Sequence, residues 1–433
     1  MRFTLPLIAL VAAPALQAQE APSPQRLRAD VATMAAFGTR HSASTTTDPK
    51  RGIGAARNWV EAEFKRIGKS CGGCLTTERL ARNFTGPRAP NGVEIVDVLG
   101  VQPGTEPGRV VILMGHLDSR NSDVMDASGD APGANDDASG VALVIETARI
   151  LSKSKHKATI IYAALSGEEQ GLWGATLLAE TAKARGWTVD AALNNDMVGN
   201  TVGQNGQRVA DRVRVFSEGI RISESIEEQI RRRGNGGEDD GPSRALAKAI
   251  RGTAEAMPGA LEVFAVRRPD RFGRGGDHEA FLRLGYPAVR FTVAAENYDQ
   301  QHQNLRTEDG RVYGDTIDKM DFDYAAKVTA INVAVARRLA DAPSAPAEVS
   351  VDGAVSADST VRWSPVTGAS GYRVHWRRND KQDWTDHRDL PAGATELLLK
   401  DVVVDDYFFG VSALSENGAE SVVSFAGRAA PRR

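Results

Sequence analysis

Val110-Val111-Ile112-Leu113-Met114-Gly115-His116-Leu117-Asp118 is the stretch on which the fold turns: an unbroken apolar run that ends on an imidazole and a carboxylate. Such runs are buried strands, covered on both faces. The pattern repeats along the chain. Thr159-Ile160-Ile161-Tyr162-Ala163-Ala164-Leu165 leads to Glu168-Glu169, and Ala191-Ala192-Leu193 leads to Asp196. Asp136-Asp137 stands at the start of a helical stretch, and His302 comes late. Open α/β sheets carry their chemistry at the carboxyl ends of their strands. Two imidazoles with three or more carboxylates suit a divalent metal, above all zinc.

Helical spacing of apolar residues predicts helices over 51–68, 139–152, 173–184, 277–284 and 322–339. Strands are expected at 93–99, 110–114, 159–165, 191–195, 261–266 and 288–293. Residues 220–260 are polar and read as mostly helical, with Arg231-Arg232-Arg233 on a solvated face. The alternation implies a largely parallel sheet with helices on both faces. Asp341-Ala342-Pro343-Ser344-Ala345-Pro346 has the small, proline-rich character of a linker. Beyond it, Val361-Arg362-Trp363, Tyr372-Arg373-Val374-His375-Trp376 and Tyr407-Phe408-Phe409-Gly410-Val411 alternate in the manner of a β-sandwich.

A chain of 433 residues fits two domains, and 41% hydrophobic residues supply ample core. Lys+Arg 53 against Asp+Glu 56 gives no reason to expect a nucleic acid or an acidic membrane as partner. Met1-Arg2, an apolar stretch and Leu16-Gln17-Ala18 read as a signal peptide over 1–18. The mature protein is therefore expected outside the cytoplasm, periplasmic or secreted. No later apolar stretch approaches the roughly eighteen residues of a membrane span. In an oxidising compartment Cys71-Gly72-Gly73-Cys74 reads as a local disulfide stabilising by about 2 kcal/mol.

His116 and Asp118, two apart in extended chain, face one side, so the carboxylate can accept the ring N–H that the metal leaves free. Of the adjacent acids at a helix start, Asp136 is read as reaching a metal and Asp137 as the cap. In Glu168-Glu169 one carboxylate is to bind the ion and the other to take a proton from water as general base. Two divalent ions bring four positive charges. Asp136, Glu169, Asp196 and a bridging hydroxide would balance them.

Gly115-His116-Leu117-Asp118-Ser119, Gly133-Ala134-Asn135-Asp136-Asp137-Ala138-Ser139-Gly140, Gly167-Glu168-Glu169-Gln170-Gly171 and Asn195-Asp196-Met197 closely resemble the co-catalytic di-zinc aminopeptidase family. That family includes bacterial secreted leucyl-type enzymes and is related to glutamate carboxypeptidase and glutaminyl cyclase. Gly276-Asp277-His278-Glu279-Ala280-Phe281 resembles its late Ser-Asp-His segment. The resemblance implies a three-layer α/β zinc-exopeptidase fold with a mixed, mainly parallel sheet over 19–341. After a linker at 342–346 comes a β-sandwich at 347–430, whose Trp363-Ser364-Pro365 and Gly371-Tyr372-Arg373-Val374 resemble a fibronectin type III module.

The resemblance also implies two zinc ions, one on His116 and Asp196, the other on Glu169 and His302, with Asp136 bridging. Glu168 would be the general base and Asp118 the orienter of His116. Gln301 stands where relatives carry Tyr, which leaves Tyr298 as the candidate oxyanion donor. Gly276 replaces Ser, beside Asp277 and His278 as candidate substrate-side residues. The activity expected is that of an exported exopeptidase, above all an aminopeptidase acting on peptides with a free N-terminus. Carboxypeptidase, N-acyl amidohydrolase, glutaminyl cyclase and a non-catalytic binding protein are the alternatives on the same scaffold.

Overall fold

The computed structural model describes residues 20–428, so the signal peptide read at 1–18 and the end of the sandwich at 429–430 lie outside the described residues. Eight strands form one sheet: β1 (Thr76–Gly86), β2 (Ala89–Gln102), β3 (Glu106–His116), β4 (Ala158–Leu165), β5 (Thr188–Asn195), β6 (Arg212–Phe216), β7 (Glu262–Val266) and β8 (Ala288–Val293). Their order is β1-β2-β4-β3-β5-β8-β6-β7. The central β4-β3-β5-β8 neighbours are parallel, and β1, β2 and the β8–β6 pair add antiparallel edges.

Alternate side chains of β3 serve two cores. Val111 and Leu113 meet the helices α1 (Pro24–Ala35), α2 (Gly52–Ser70), α3 (Ala138–Leu151), α7 (Pro242–Glu255) and α9 (Phe322–Asp341). Val110, Ile112 and Met114 meet α5 (Trp173–Ala184) and α8 (His278–Arg283). The result is the expected three layers. Because β3, β4 and β5 are parallel, their carboxyl ends lie together: His116 pairs with Leu165, and Met114 with Asn194.

Three elements escaped the sequence reading. Helix α1 follows a plain start signal, Ser23 capping the Arg26 N–H with Pro24 at its first turn. Strand β1 is an edge strand rich in exposed charge, which hides its alternation. In β6, Arg212 and Arg214 alternate with buried Val213 and Val215, a signal present but masked by the polar stretch beyond. Residues 220–260 resolve into α6 (Ile226–Gly234) and α7. The expected disulfide is present, Cys71–Cys74 at 2.01 Å, closing the end of α2.

The C-terminal sandwich has two four-stranded sheets around Trp363, Tyr372, Val374, Phe409 and Val411. In the linker Ala342, Pro343 and Pro346 are buried. The sandwich docks on the sheet domain through polar contacts as well. Arg377, 1% exposed, pairs with buried Asp240, and its guanidinium lies 4.6 Å from the Phe408 ring centroid. Arg338 of α9 donates to the Glu420 carbonyl at 3.0 Å, and Val422 packs against the larger core.

Asp240 also accepts from Lys248 at 2.7 Å, so it neutralises two buried cations. Removing it strands Arg377 and leaves Lys248 only Asp239 at 3.4 Å, whereas removing Arg377 leaves Asp240 paired with Lys248. Asp240→Ala is therefore expected to cost about 3–5 kcal/mol of unfolding free energy and Arg377→Met clearly less. Denaturant titration of both variants checks the order; equal losses would contradict it.

Candidate metal centre and active-site cleft

His116, the two glutamates and Asp196 sit where strands stop, Asp136 before a helix and His302 in a loop. His116 is the last residue of β3, and Asp196 follows β5 by one. Glu168 and Glu169 open a single helical turn, α4 (Glu168–Gly171), after Gly167 at φ 77°. An added Cβ there would lie 2.7 Å from Ile95, so the turn that aims both glutamates needs glycine. Asp137 caps α3 as read: its carboxylate accepts from Gly140 at 2.9 Å, His116 at 3.0 Å and Met197 at 3.2 Å. One carboxylate thus ties the ends of β3 and β5 to the start of α3.

Asp136 is freed to point into the cluster. One oxygen lies 3.1 Å from His116 Nε2 and the other 3.0 Å from His302 Nε2. Glu169 Oε1 lies 2.9 Å from His302 Nε2, and Asp196 Oδ2 lies 3.9 Å from His116 Nε2. The donors form two groups, His116–Asp136–Asp196 and Asp136–Glu169–His302, each within 4.8 Å, with Asp136 in both. The five residues assigned from sequence as ligands therefore come together.

This donor set fits metal. The His116 Nδ1–H points to the Asp118 carbonyl at 3.0 Å, so Nε2 presents a lone pair to the lone pairs of Asp136. His116 Nε2 and Glu169 Oε1 are buried without a hydrogen-bond partner. A metal ion between such atoms makes the approach favourable, and without one each imidazole has to take up a proton. Electrostatics agree. Burial pushes Glu168 well above the usual carboxyl range, with Glu169, Asp196 and Asp136 adding to it. Burial likewise raises Asp196 to about 7. Burial alone would lower His302, yet Glu169 and Asp136 raise it to about 10. The cluster holds more negative charge than it can keep without cations.

Three assignments change. His116 is oriented by the main-chain carbonyl of Asp118, whose carboxylate stands 3.8 Å from the ring nitrogen. The chain turns just after the strand, and the Asp118 carboxylate instead accepts the N–H groups of Glu168 and Glu169 at 3.3 and 3.1 Å. Asp277 and His278 are fully buried, not substrate-side. His278 Nε2 meets the Pro269 carbonyl at 2.8 Å, and burial, with the charge of Glu168 adding to it, pushes the Asp277 carboxyl well above its usual range. Tyr298 does line the cleft and is 56% exposed, while Gln301 Nε2 donates to Asp136 Oδ2 at 3.2 Å.

The supporting layer went unread. The Asp315 carboxylate accepts from Asn135 at 2.9 Å and from Asp136 at 2.7 Å. Arg40, wholly buried, donates to the carbonyls of Met34, Leu117, Pro132 and Gly133 and so joins the loops on either side of the site. Arg120 spans Glu169 Oε2 and His302 Nδ1 at 2.8 and 2.7 Å, and Arg290 meets Asp196 Oδ1 at 2.8 Å. No local pattern marks these residues, because each acts on partners distant in sequence. The cleft above, about 950 Å³, is walled by the cluster together with Arg88, Arg271, Arg274 and Tyr298.

Asp315→Ala leaves two N–H groups of the Asp136 loop without their acceptor. Zinc affinity, measured by chelator competition, is expected to fall roughly 10–100-fold. Unchanged affinity would show that the loop holds Asp136 unaided.

The model of peptidase family M28 matches residues 97–336. A probable zinc metalloprotease of Pyrenophora tritici-repentis is 40% identical over 406 residues, covering 92% of this chain and 84% of its own. One from Pyricularia oryzae is 40% identical over 414 residues, covering 92% and 81%. Among solved structures, LapB from Legionella pneumophila aligns with a TM-score of 0.53 at 15% identity, over 72% of this chain and 71% of that one. An aminopeptidase from Aneurinibacillus sp. strain AM-1 aligns at 0.52 and 15%, over 74% and 94%, and these two show the fold. With the matched span containing all five cluster ligands and the relatives covering nearly the whole chain, this protein belongs to the zinc metallopeptidases of family M28.

Proposed function

We propose that this metallopeptidase is an exported exopeptidase that carries two zinc ions and removes N-terminal residues from peptides. The observation that carries the reading is the pair of three-residue ligand groups sharing Asp136. His116 and Asp196 would hold one ion, Glu169 and His302 the other, and Asp136 both. Bound zinc supplies Lewis-acid polarisation and lowers the pKa of water to about 7.

The chain's own residues do the rest. Glu168 lines the cleft beside the ligands, and the Asp118 carboxylate fixes its main chain, so its carboxylate is placed to take the proton of the attacking water. The same carboxylate then delivers that proton to the leaving amine. Tyr298, exposed in the cleft wall, is the candidate donor to the oxygen that gains charge as the carbonyl is attacked. Gln301 is less suited, because its amide already donates to Asp136. Aminopeptidase-named relatives of the fold and the apolar leader read at 1–18 support N-terminal cleavage outside the cytoplasm.

Chelation is expected to abolish hydrolysis of amino-acid p-nitroanilides, and added zinc to restore it. Glu168→Gln is expected to keep its zinc and lose roughly 100- to 10,000-fold in kcat. Turnover near that of the parent would move the base elsewhere. Acetylating the substrate amine is expected to stop cleavage; efficient hydrolysis of the blocked substrate would contradict the aminopeptidase reading.

A further inference from the structure

We propose that the arginine wall of the cleft is a carboxylate-binding subsite, so that the preferred substrate carries an anionic group close to the scissile bond. The proposal rests on the reading of this cleft as a zinc exopeptidase site. Arg88, Arg120, Arg271, Arg274 and Arg290 all line the cleft. Outside the ligands and Glu168, the one acid in that lining is Glu279, and two more, Asp270 and Glu296, buttress the wall. With Arg120 and Arg290 set against the ligand carboxylates, Arg88, Arg271 and Arg274 face these three acids, and Arg214 and Arg283 share Glu296 and Glu279.

The arginines divide by task. Arg120 and Arg290 are committed to the outer oxygens of Glu169 and Asp196. Arg271 is locked by Asp270, Glu296 and the Gly275 carbonyl. Arg274 is different: one nitrogen donates to Glu296 at 2.8 Å, and Glu296 is its only acceptor among the described residues. Its side chain remains 31% exposed, so its other donors face the cleft. Arg88 likewise donates once, to the Glu169 carbonyl, and is otherwise exposed. A cation fixed from behind with free donors in front is preorganised for a carboxylate.

The segment bearing this wall explains an oddity of the sequence. Arg267-Arg268-Pro269-Asp270-Arg271-Phe272-Gly273-Arg274-Gly275-Gly276 alternates arginine with small residues. At Gly276 an added Cβ would come 2.9 Å from Arg290 Nη1. At Gly275 it would come 2.7 Å from Glu279. The small residues leave the guanidinium groups uncovered. A free amine, by contrast, finds in the lining beyond the ligands and Glu168 only Glu279, which already accepts from Arg283.

The carboxylate has two sources, an acidic N-terminal side chain or a free C-terminus, and paired substrates separate them. On the zinc-loaded full chain, Glu-p-nitroanilide is compared with Gln-p-nitroanilide, and N-acetyl dipeptides ending in a free carboxylate with their amides. One pair is expected to favour its carboxylate member in kcat/KM by roughly 10- to 100-fold, and Arg274→Gln to erase most of that ratio. Arg274→Glu is expected to turn the ratio toward Lys-p-nitroanilide. Preference in the first pair fits N-terminal cleavage; preference in the second keeps the subsite but overturns the aminopeptidase reading. No preference in either pair, or a preference that survives Arg274→Glu, overturns the subsite. Should no substrate be cleaved, the proposed activity fails, and calorimetry of free glutamate against glutamine decides the subsite alone. Tighter glutamate binding lost in Arg274→Glu supports it, and equal binding refutes it. Zinc content and melting temperature of each variant establish that the fold is retained.

Discussion

Asp118, Asp136, Asp137, Glu168, Glu169, Asp196 and Asp277 converge on one end of a sheet from which water is largely excluded. Mutual repulsion and lost hydration would drive such groups apart or neutral. The architecture around them is a set of answers to that repulsion. Asp137 is satisfied by three main-chain N–H groups, and Asp118 by two. The outer oxygens of Glu169 and Asp196 are taken by Arg120 and Arg290. What remains is a row of inner oxygens and two imidazole nitrogens facing one another, and zinc is the charge that this row calls for.

The parallel centre of the sheet makes the convergence possible. Strands that run the same way end on the same side, so residues far apart in sequence become neighbours without any long excursion of the chain. Of the antiparallel edge, the β1–β2 turn reaches the site, bringing Arg88 to the cleft wall. Rigidity comes from below, where Arg40 gathers carbonyls from both flanking loops and Asp315 holds the main chain of Asp136. Ligands placed on strand ends and braced in this way are set before any ion arrives.

His302 follows no apolar run and came only from the family resemblance, whereas His116, Glu169 and Asp196 were legible because each is written locally, an apolar run and then a polar residue that the run cannot bury unpaired. The division of labour between Asp136 and Asp137 was legible for the same reason, since one of two adjacent acids at a helix start must cap it. Asp118 was half legible. Its position was clear, but whether its carbonyl or its carboxylate meets His116 depends on how the chain turns after Leu117, which no spacing rule states. Arg40, Arg120, Arg290 and Asp315 were silent, as each contacts partners that only the fold brings near. Arg377 was silent too: it lies on an alternating strand, and only the docked sheet domain, with Asp240, pairs it in the interior.

The shared ligand is the most exposed point of the account. Zinc stoichiometry by native mass spectrometry, on the parent chain and on Asp136→Ala and His302→Ala, tests it directly. The account predicts two ions in the parent, one in His302→Ala and none retained tightly in Asp136→Ala, since Asp136 belongs to both ligand groups. A parent that binds a single ion, or an Asp136→Ala protein that still holds two, would contradict it.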